Sequence, residues 1–106
     1  MDDLSRTGLN KSVIKSIQDV LAGFPRVEKA VLYGSRAKGT ARKYSDIVLT
    51  LAGNGLSYED LVRLENKLDD LLLPYNIDLS LLSRIESEDL REHIERVGVV
   101  LFEAGS

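Results

Sequence analysis

The sequence predicts one α+β domain, and three observations carry that expectation. Apolar residues recur at helical spacing in three stretches, runs rich in β-branched and aromatic residues lie between them, and the connections are short. The order is helix, strand, strand, helix, strand, helix and a short last strand, with no internal repeat or low-complexity tract. A chain of 106 residues holds one compact core and is too short for two, so residues 1–106 are read as a single domain.

Each element has a local reason. Asn10 can cap a first helix, with Leu9 and Ile14 placed to clasp its start. Val13, Ile14, Ile17, Val20 and Leu21 form its inward stripe, and Gly23 and Pro25 end it. A strand is predicted over 27–33 (VEKAVLY), stopped by Gly34, and a second over 46–51 (DIVLTL), bounded by Gly53 and Gly55. Between them, residues 34–45 lack a clear apolar period, although 35–38 can form a short helix. A second long helix starts near Ser57 and ends before Pro74, with Leu61, Leu64, Leu68, Leu71 and Leu72 as its stripe. A third strand is predicted over 77–82 (IDLSLL). Ser87 caps a third helix with Glu88 and Asp89 in its first turn and Leu90, Ile94 and Val97 inward, and residues 99–102 add the last strand.

Composition narrows the function classes. With 43% hydrophobic and 29% charged residues the chain has the balance of a globular protein. It has no apolar run of the roughly 18 residues a membrane span requires and no charged start followed by an apolar stretch, so neither a membrane partner nor export is expected. The absence of cysteine excludes disulfides, thiolate catalysis and cysteine-ligated metals, and a cytoplasmic location is the default. The net charge of −3 hides an asymmetry: residues 1–56 carry nine Lys/Arg against five Asp/Glu, residues 57–106 five against twelve. Arg36, Lys38, Arg42 and Lys43 lie within eight residues that contain no acid, a local positive field on an acidic protein. Such a run is commonly a solvated loop; the alternative is a site for phosphate.

The stretch GSRAKGTARKYSDIVL, residues 34–49, fits neither of two phosphate motifs. Gly39 is followed by Thr40 and Ala41 rather than Lys and Ser/Thr, so it is not a P-loop, and no glycine stands at position 36 for a dinucleotide fingerprint. What remains is a strand, Gly34-Ser35, a short helix and a strand headed by Asp46. Gly34 would let the backbone approach a ligand, and Ser35 offers a hydroxyl and an N–H where a helix start attracts anions; the plainer alternative is a tight turn and a cap. Strand alternation puts Ile47, Leu49 and Leu51 on one face and Asp46, Val48 and Thr50 on the other, while Asp78 and Ser80 oppose Ile77, Leu79 and Leu81. If these strands are neighbours, Asp46 and Asp78 converge beside Gly34, two hard oxygen ligands suited to Mg2+ next to a phosphate loop.

These residues resemble the minimal nucleotidyltransferases of the polymerase-β superfamily, whose pattern is Gly-Ser, a spacer, Ser-Asp-hydrophobic-Asp and a third Asp on a later strand. The resemblance covers nearly the whole chain. It implies a polymerase-beta-like fold, a small mixed β-sheet packed against helices. It also implies a Mg2+-dependent nucleotidyltransferase in which Gly34, Ser35 and Arg36 hold a nucleoside triphosphate and Asp46 and Asp78 are the catalytic, metal-binding carboxylates. Members of this type often pair with a helical HEPN protein as antitoxins that transfer AMP from ATP onto it, so a HEPN-type partner and a hetero- or homo-oligomer are expected. One position departs from the pattern: the second aspartate is Val48. Two divalent cations ~4 Å apart repel by on the order of 16 kcal/mol at an effective dielectric of about 20, and Val48 supplies neither charge nor oxygen to offset it. Two-ion catalysis is therefore expected to be impaired while triphosphate binding survives.

The alternative is a non-catalytic antitoxin that neutralises a HEPN toxin by direct binding. A nucleic-acid module ranks last, because the remainder is acidic and no aromatic-basic interleaving is present. His93 is read as a boundary residue of the last helix, Asp69 and Asp70 as solvated charges, and Tyr33 as packing; Tyr44 is open between packing and base stacking.

Overall fold

The structure, a computed structural model, describes Leu4 and residues 7–43 and 45–105; Tyr44 lies outside the described residues. Helix α1 (Lys11–Ala22) starts as its sequence requires, Val13 N–H donating to Asn10 Oδ1 at 2.9 Å. Strand β1 (Lys29–Tyr33) leads through Gly34 into the short helix α2 (Ser35–Lys38). After a loop come strand β2 (Ile47–Ala52), helix α3 (Tyr58–Asp69), strand β3 (Ile77–Leu81), a 3-10 turn (Leu82–Arg84), helix α4 (Glu88–Val97) and strand β4 (Val99–Glu103). The element order is the expected one, short helix and last strand included.

The strands form one mixed sheet in the order β3-β2-β1-β4. Strand β1 is antiparallel to both β2 and β4, and β2 is parallel to β3. Alternation then sorts the side chains. Ala30, Leu32, Ile47, Leu49, Leu51 and Leu101 are buried in one core with Ile17 and Leu21 of α1 and Leu64 and Leu68 of α3. A fully buried leucine contributes about 1.5–3 kcal/mol over an exposed one, so this face carries most of the stability. Helix α4 packs on the opposite face. Its C-cap Gly98 lies so close to Val31 that a Cβ there would meet Val31 Cγ1 at 2.6 Å. That cover is partial: at the Tyr33 end of the sheet, Val48 and Tyr33 are only half-buried and Asp78 is exposed.

Several boundaries differ from the expectation; β2 and β4 each run one residue further, to Ala52 and Glu103. Strand β1 begins at Lys29 because the chain first turns, Val27 N–H donating to Phe24 O. Asp46 immediately precedes β2 rather than heading it, and β3 ends at Leu81, where the 3-10 turn begins. Helix α3 stops at Asp69, well short of Pro74. Leu71 and Leu72 N–H groups close successive tight turns on Leu68 and Asp69 carbonyls, and Leu72 enters the left-handed region at φ 55°. Leu72 is thereby thrown outward, 88% exposed, and is not part of the core stripe.

The start of α3 carries a titration. Asp60 N–H donates to Ser57 Oγ and Ser57 N–H donates to Asp60 Oδ2, a reciprocal cap, with Arg26 Nη1 3.4 Å from the same carboxylate. The backbone hydrogen bond from Ser57 is the main cause holding the Asp60 pKa below its ordinary 3.8; burial opposes it and Arg26 assists it. A folded-state pKa below the unfolded one means that this contribution is present above the unfolded value and is lost as pH falls through the folded one. In urea denaturation, the stability advantage of the native chain over Asp60→Asn is expected to shrink between about pH 5 and pH 2. A difference independent of pH would contradict this role.

Candidate functional site

Topology gathers the site. Because β1 runs against β2 while β3 runs with it, the end of β1 and the starts of β2 and β3 meet at one end of the sheet. The register there is Tyr33 opposite Val48 and Val48 opposite Asp78. Position 48 thus sits between the strand that enters the Gly34 bend and the strand that carries Asp78.

Gly34 has φ 83° and ψ −154°, a conformation essentially reserved for glycine. A Cβ built on it would lie 4.0 Å from Val48 Cγ2, so the bend passes directly beside Val48. The glycine also leaves the first N–H groups of α2 without a side-chain cap, and Ser35, the first residue of that turn, is exposed. Helix α2 ends after one turn at Gly39, in the left-handed region at φ 78°. The returning chain is tied by Thr40 N–H to Ser35 O (3.0 Å), Arg42 N–H to Ser45 Oγ (2.9 Å) and Ser45 N–H to Arg42 O (3.1 Å).

Asp46 emerges from this loop, exposed, and Ile47 N–H donates to Asn76 O at 2.8 Å. Extending the register, Asp46 and Asp78 are two residues apart along the strands and one strand across, which sets their Cα atoms roughly 8 Å apart on one face. They are diagonal neighbours rather than a directly opposed pair; the residue directly opposite Asp78 is Val48. Both line a cavity of about 280 Å³, together with Tyr75, Asn76 and Asp69. Asp69, read from sequence as a solvated charge, is therefore a third carboxylate on that wall. Nothing in a leucine-striped helix marks it, since its place depends on where α3 ends relative to β3. Among the described residues, no group of three or more His, Cys, Asp or Glu side chains could hold a metal ion.

Arg36 departs from its expected role. Instead of facing the open side of the loop it is 1% exposed, its guanidinium donating to main-chain carbonyls and stacking on Tyr75. With its donors engaged inward, it is not placed to meet a phosphate. Lys38, Arg42 and Lys43 are the exposed basic residues of the loop. His93 is half-buried, as expected of a boundary residue, and meets Tyr33 edge-on with ring centroids 6.2 Å apart.

The sequence and the fold have relatives among known proteins. Residues 15–105 match the family described as Polymerase beta, Nucleotidyltransferase. The chain is 40% identical over 72 residues to a Haemophilus influenzae protein named Probable protein adenylyltransferase MntA, a match covering 67% of this chain and 62% of that protein. The chain thus spans less than two thirds of that relative's length. A solved toxin-antitoxin structure with AMP-PNP superposes with a TM-score of 0.69 at 24% identity, covering 87% of this chain and 74% of that one. A solved complex of a tri-AMPylated HEPN toxin with MNT antitoxin from Shewanella oneidensis superposes with a TM-score of 0.58 at 20% identity, covering 96% and 73%. At these identities the structural likeness establishes the fold.

The backbone at Gly34 generates a test. Gly34→Ala has room for its methyl group beside Val48 but not the conformation, so it is expected to cost about 1–3 kcal/mol or to reshape the bend. Chemical denaturation and amide shifts of residues 33–36 check this; an unchanged stability with unchanged shifts would contradict the strained geometry.

Proposed function

The chain belongs to the polymerase beta nucleotidyltransferase family, and on that premise we propose that it binds ATP at the Gly34 bend and is built to transfer AMP to a protein partner of HEPN type. The observation that carries this reading is the register that sets the Gly34 bend, position 48 and Asp78 side by side, with Asp46 on the same face. The named relative and the toxin-antitoxin structures point to AMP as the transferred group and to a HEPN protein as the acceptor.

In this reading Gly34 lets the main chain approach the triphosphate, and Ser35 donates its hydroxyl and N–H to phosphate oxygens. Lys38 and Arg42 face the same loop from solvent and offset phosphate charge. The acceptor hydroxyl oxygen attacks the α-phosphorus, the bond to the departing pyrophosphate breaks in line, and an Asp78 carboxylate oxygen takes the hydroxyl proton. The donor set decides which cations fit. Asp46 and Asp78 present hard carboxylate oxygens that suit one Mg2+ completed by phosphate and water oxygens. Bound there, such an ion would neutralise triphosphate charge. A second ion gains no ligand from position 48: Val48, directly opposite Asp78, supplies neither charge nor oxygen, and no step is assigned to such an ion. Triphosphate binding and slow or absent transfer are the combined expectation for this chain.

Val48→Asp restores a carboxylate at the centre of the register and tests the reading. The native chain and the variant are each mixed with the HEPN partner, ATP and Mg2+, and AMP addition is followed by intact mass spectrometry. The variant is expected to transfer about 100-fold faster or more, the scale typical of removing one group that stabilises developing charge. No AMP addition by the variant, with the two proteins still co-purifying, would overturn the transferase reading in favour of neutralisation by direct binding.

A further inference from the structure

Among the described residues Arg36 is the largest fully buried side chain, and it carries a charge. Its partners come from three separate parts of the chain. Nη1 donates to Thr7 O (2.9 Å), Nε and Nη2 both donate to Ser45 O (3.1 and 2.9 Å), and Nη2 also reaches Lys43 O (3.1 Å) and Arg42 O (3.4 Å). The ring of Tyr75 lies 4.8 Å from the guanidinium carbon. The amino-terminal segment is shaped around this group. Thr7, 1% exposed, donates its hydroxyl to Leu4 O and accepts from Leu9 N–H, and a Cβ at Gly8 would come within 3.3 Å of Nη1.

A buried cation normally has a carboxylate partner, because desolvation of an isolated charge is costly. Among the described residues every partner is a neutral carbonyl or a ring face, so these hydrogen bonds are charge-assisted. Two consequences follow. The carbonyl of Ser45, which takes two of the donors, immediately precedes Asp46, so the fork fixes the point from which Asp46 emerges. Tyr75 lines the same cavity as Asp46 and Asp78, so the stacked ring ties the loop to the cavity wall.

We propose that Arg36 is the positioning residue of this site: it touches no substrate, and it holds residues 40–43 and 45–46 in the conformation that presents Asp46 beside β3. The role of Asp46 in this inference rests on the nucleotide-binding reading above; the loop-holding role does not. Lysine cannot substitute, since one ammonium on a flexible stem cannot span carbonyls that a planar fork reaches from three nitrogens.

The test uses the native chain and Arg36→Lys, both labelled with 15N. In the nucleotide-free variant, amide protection at residues 42–47 is expected to fall at least tenfold while Leu32 and Leu49 keep theirs. AMP-PNP with Mg2+ is expected to bind at least tenfold more weakly to the variant. In the native chain, the Arg36 Nε–H is expected to exchange slowly with solvent and to keep its resonance position when AMP-PNP and Mg2+ are added. This last measurement needs no variant, and therefore decides the matter even if Arg36→Lys does not fold. Unchanged loop protection in a folded variant, fast Nε–H exchange, or a large Nε shift on nucleotide addition would each overturn the proposal. Failure of the native chain to bind AMP-PNP would instead remove the nucleotide reading, and the loop protection and Nε–H exchange would still judge Arg36.

Discussion

The chemistry of this domain depends on one pairing, the parallel alignment of β2 with β3 beside the antiparallel alignment of β2 with β1. A parallel neighbour brings two strand starts together, and an antiparallel neighbour adds a strand end. Only that combination delivers the Gly34 bend, position 48 and Asp78 to the same place. A one-residue slip of β3 would send Asp78 to the opposite face of the sheet. The slip is opposed by the core, because Leu81 and the partly buried Leu79 would leave the face covered by α1 and α3. The apolar side of the sheet therefore sets the geometry of its polar side.

The same division explains the charges. The helices α1 and α3 cover one face completely, whereas α4 and the 3-10 turn leave the Tyr33 end of the other face open. Asp46, Asp69 and Asp78 line one cavity at the starts of β2 and β3, and Lys38, Arg42 and Lys43 are exposed on the loop that leads to Asp46. Such a pairing of acidic floor and basic rim suits a cation-bound polyanion better than either charge alone. Val48 lies directly opposite Asp78 with two methyl groups, and in the proposed reading position 48 is where binding and transfer part company.

Most of the architecture was legible because it rests on local signals. Caps at Asn10, Ser57 and Ser87 stand where the helices begin, and Gly34 marks the bend that its dihedral angles require. Alternation places Val48 and Asp78 on the face away from Leu49 and Leu79. What local signals do not carry is register: only the assembled sheet shows that Asp78 faces Val48 directly and Asp46 diagonally. The end of α3 was hidden for a related reason, since a leucine repeat continues past the point where the backbone turns and exposes Leu72. Arg36 was misplaced because its partners are main-chain carbonyls, which every residue has and no sequence pattern marks.

In the proposed reading the Gly34 bend and the two carboxylates form a single site for a cation-bound triphosphate. Titrating the 15N-labelled native chain with Mn2+ in the presence of AMP-PNP tests it directly, because paramagnetic broadening reports distance from the ion. The account requires the amides of residues 34–36, 46–48 and 77–79 to broaden first and together, and Asp46→Asn to weaken the effect. Broadening centred elsewhere, for example on Glu88 and Asp89, or the loss of signals at only one of the three segments, would contradict it.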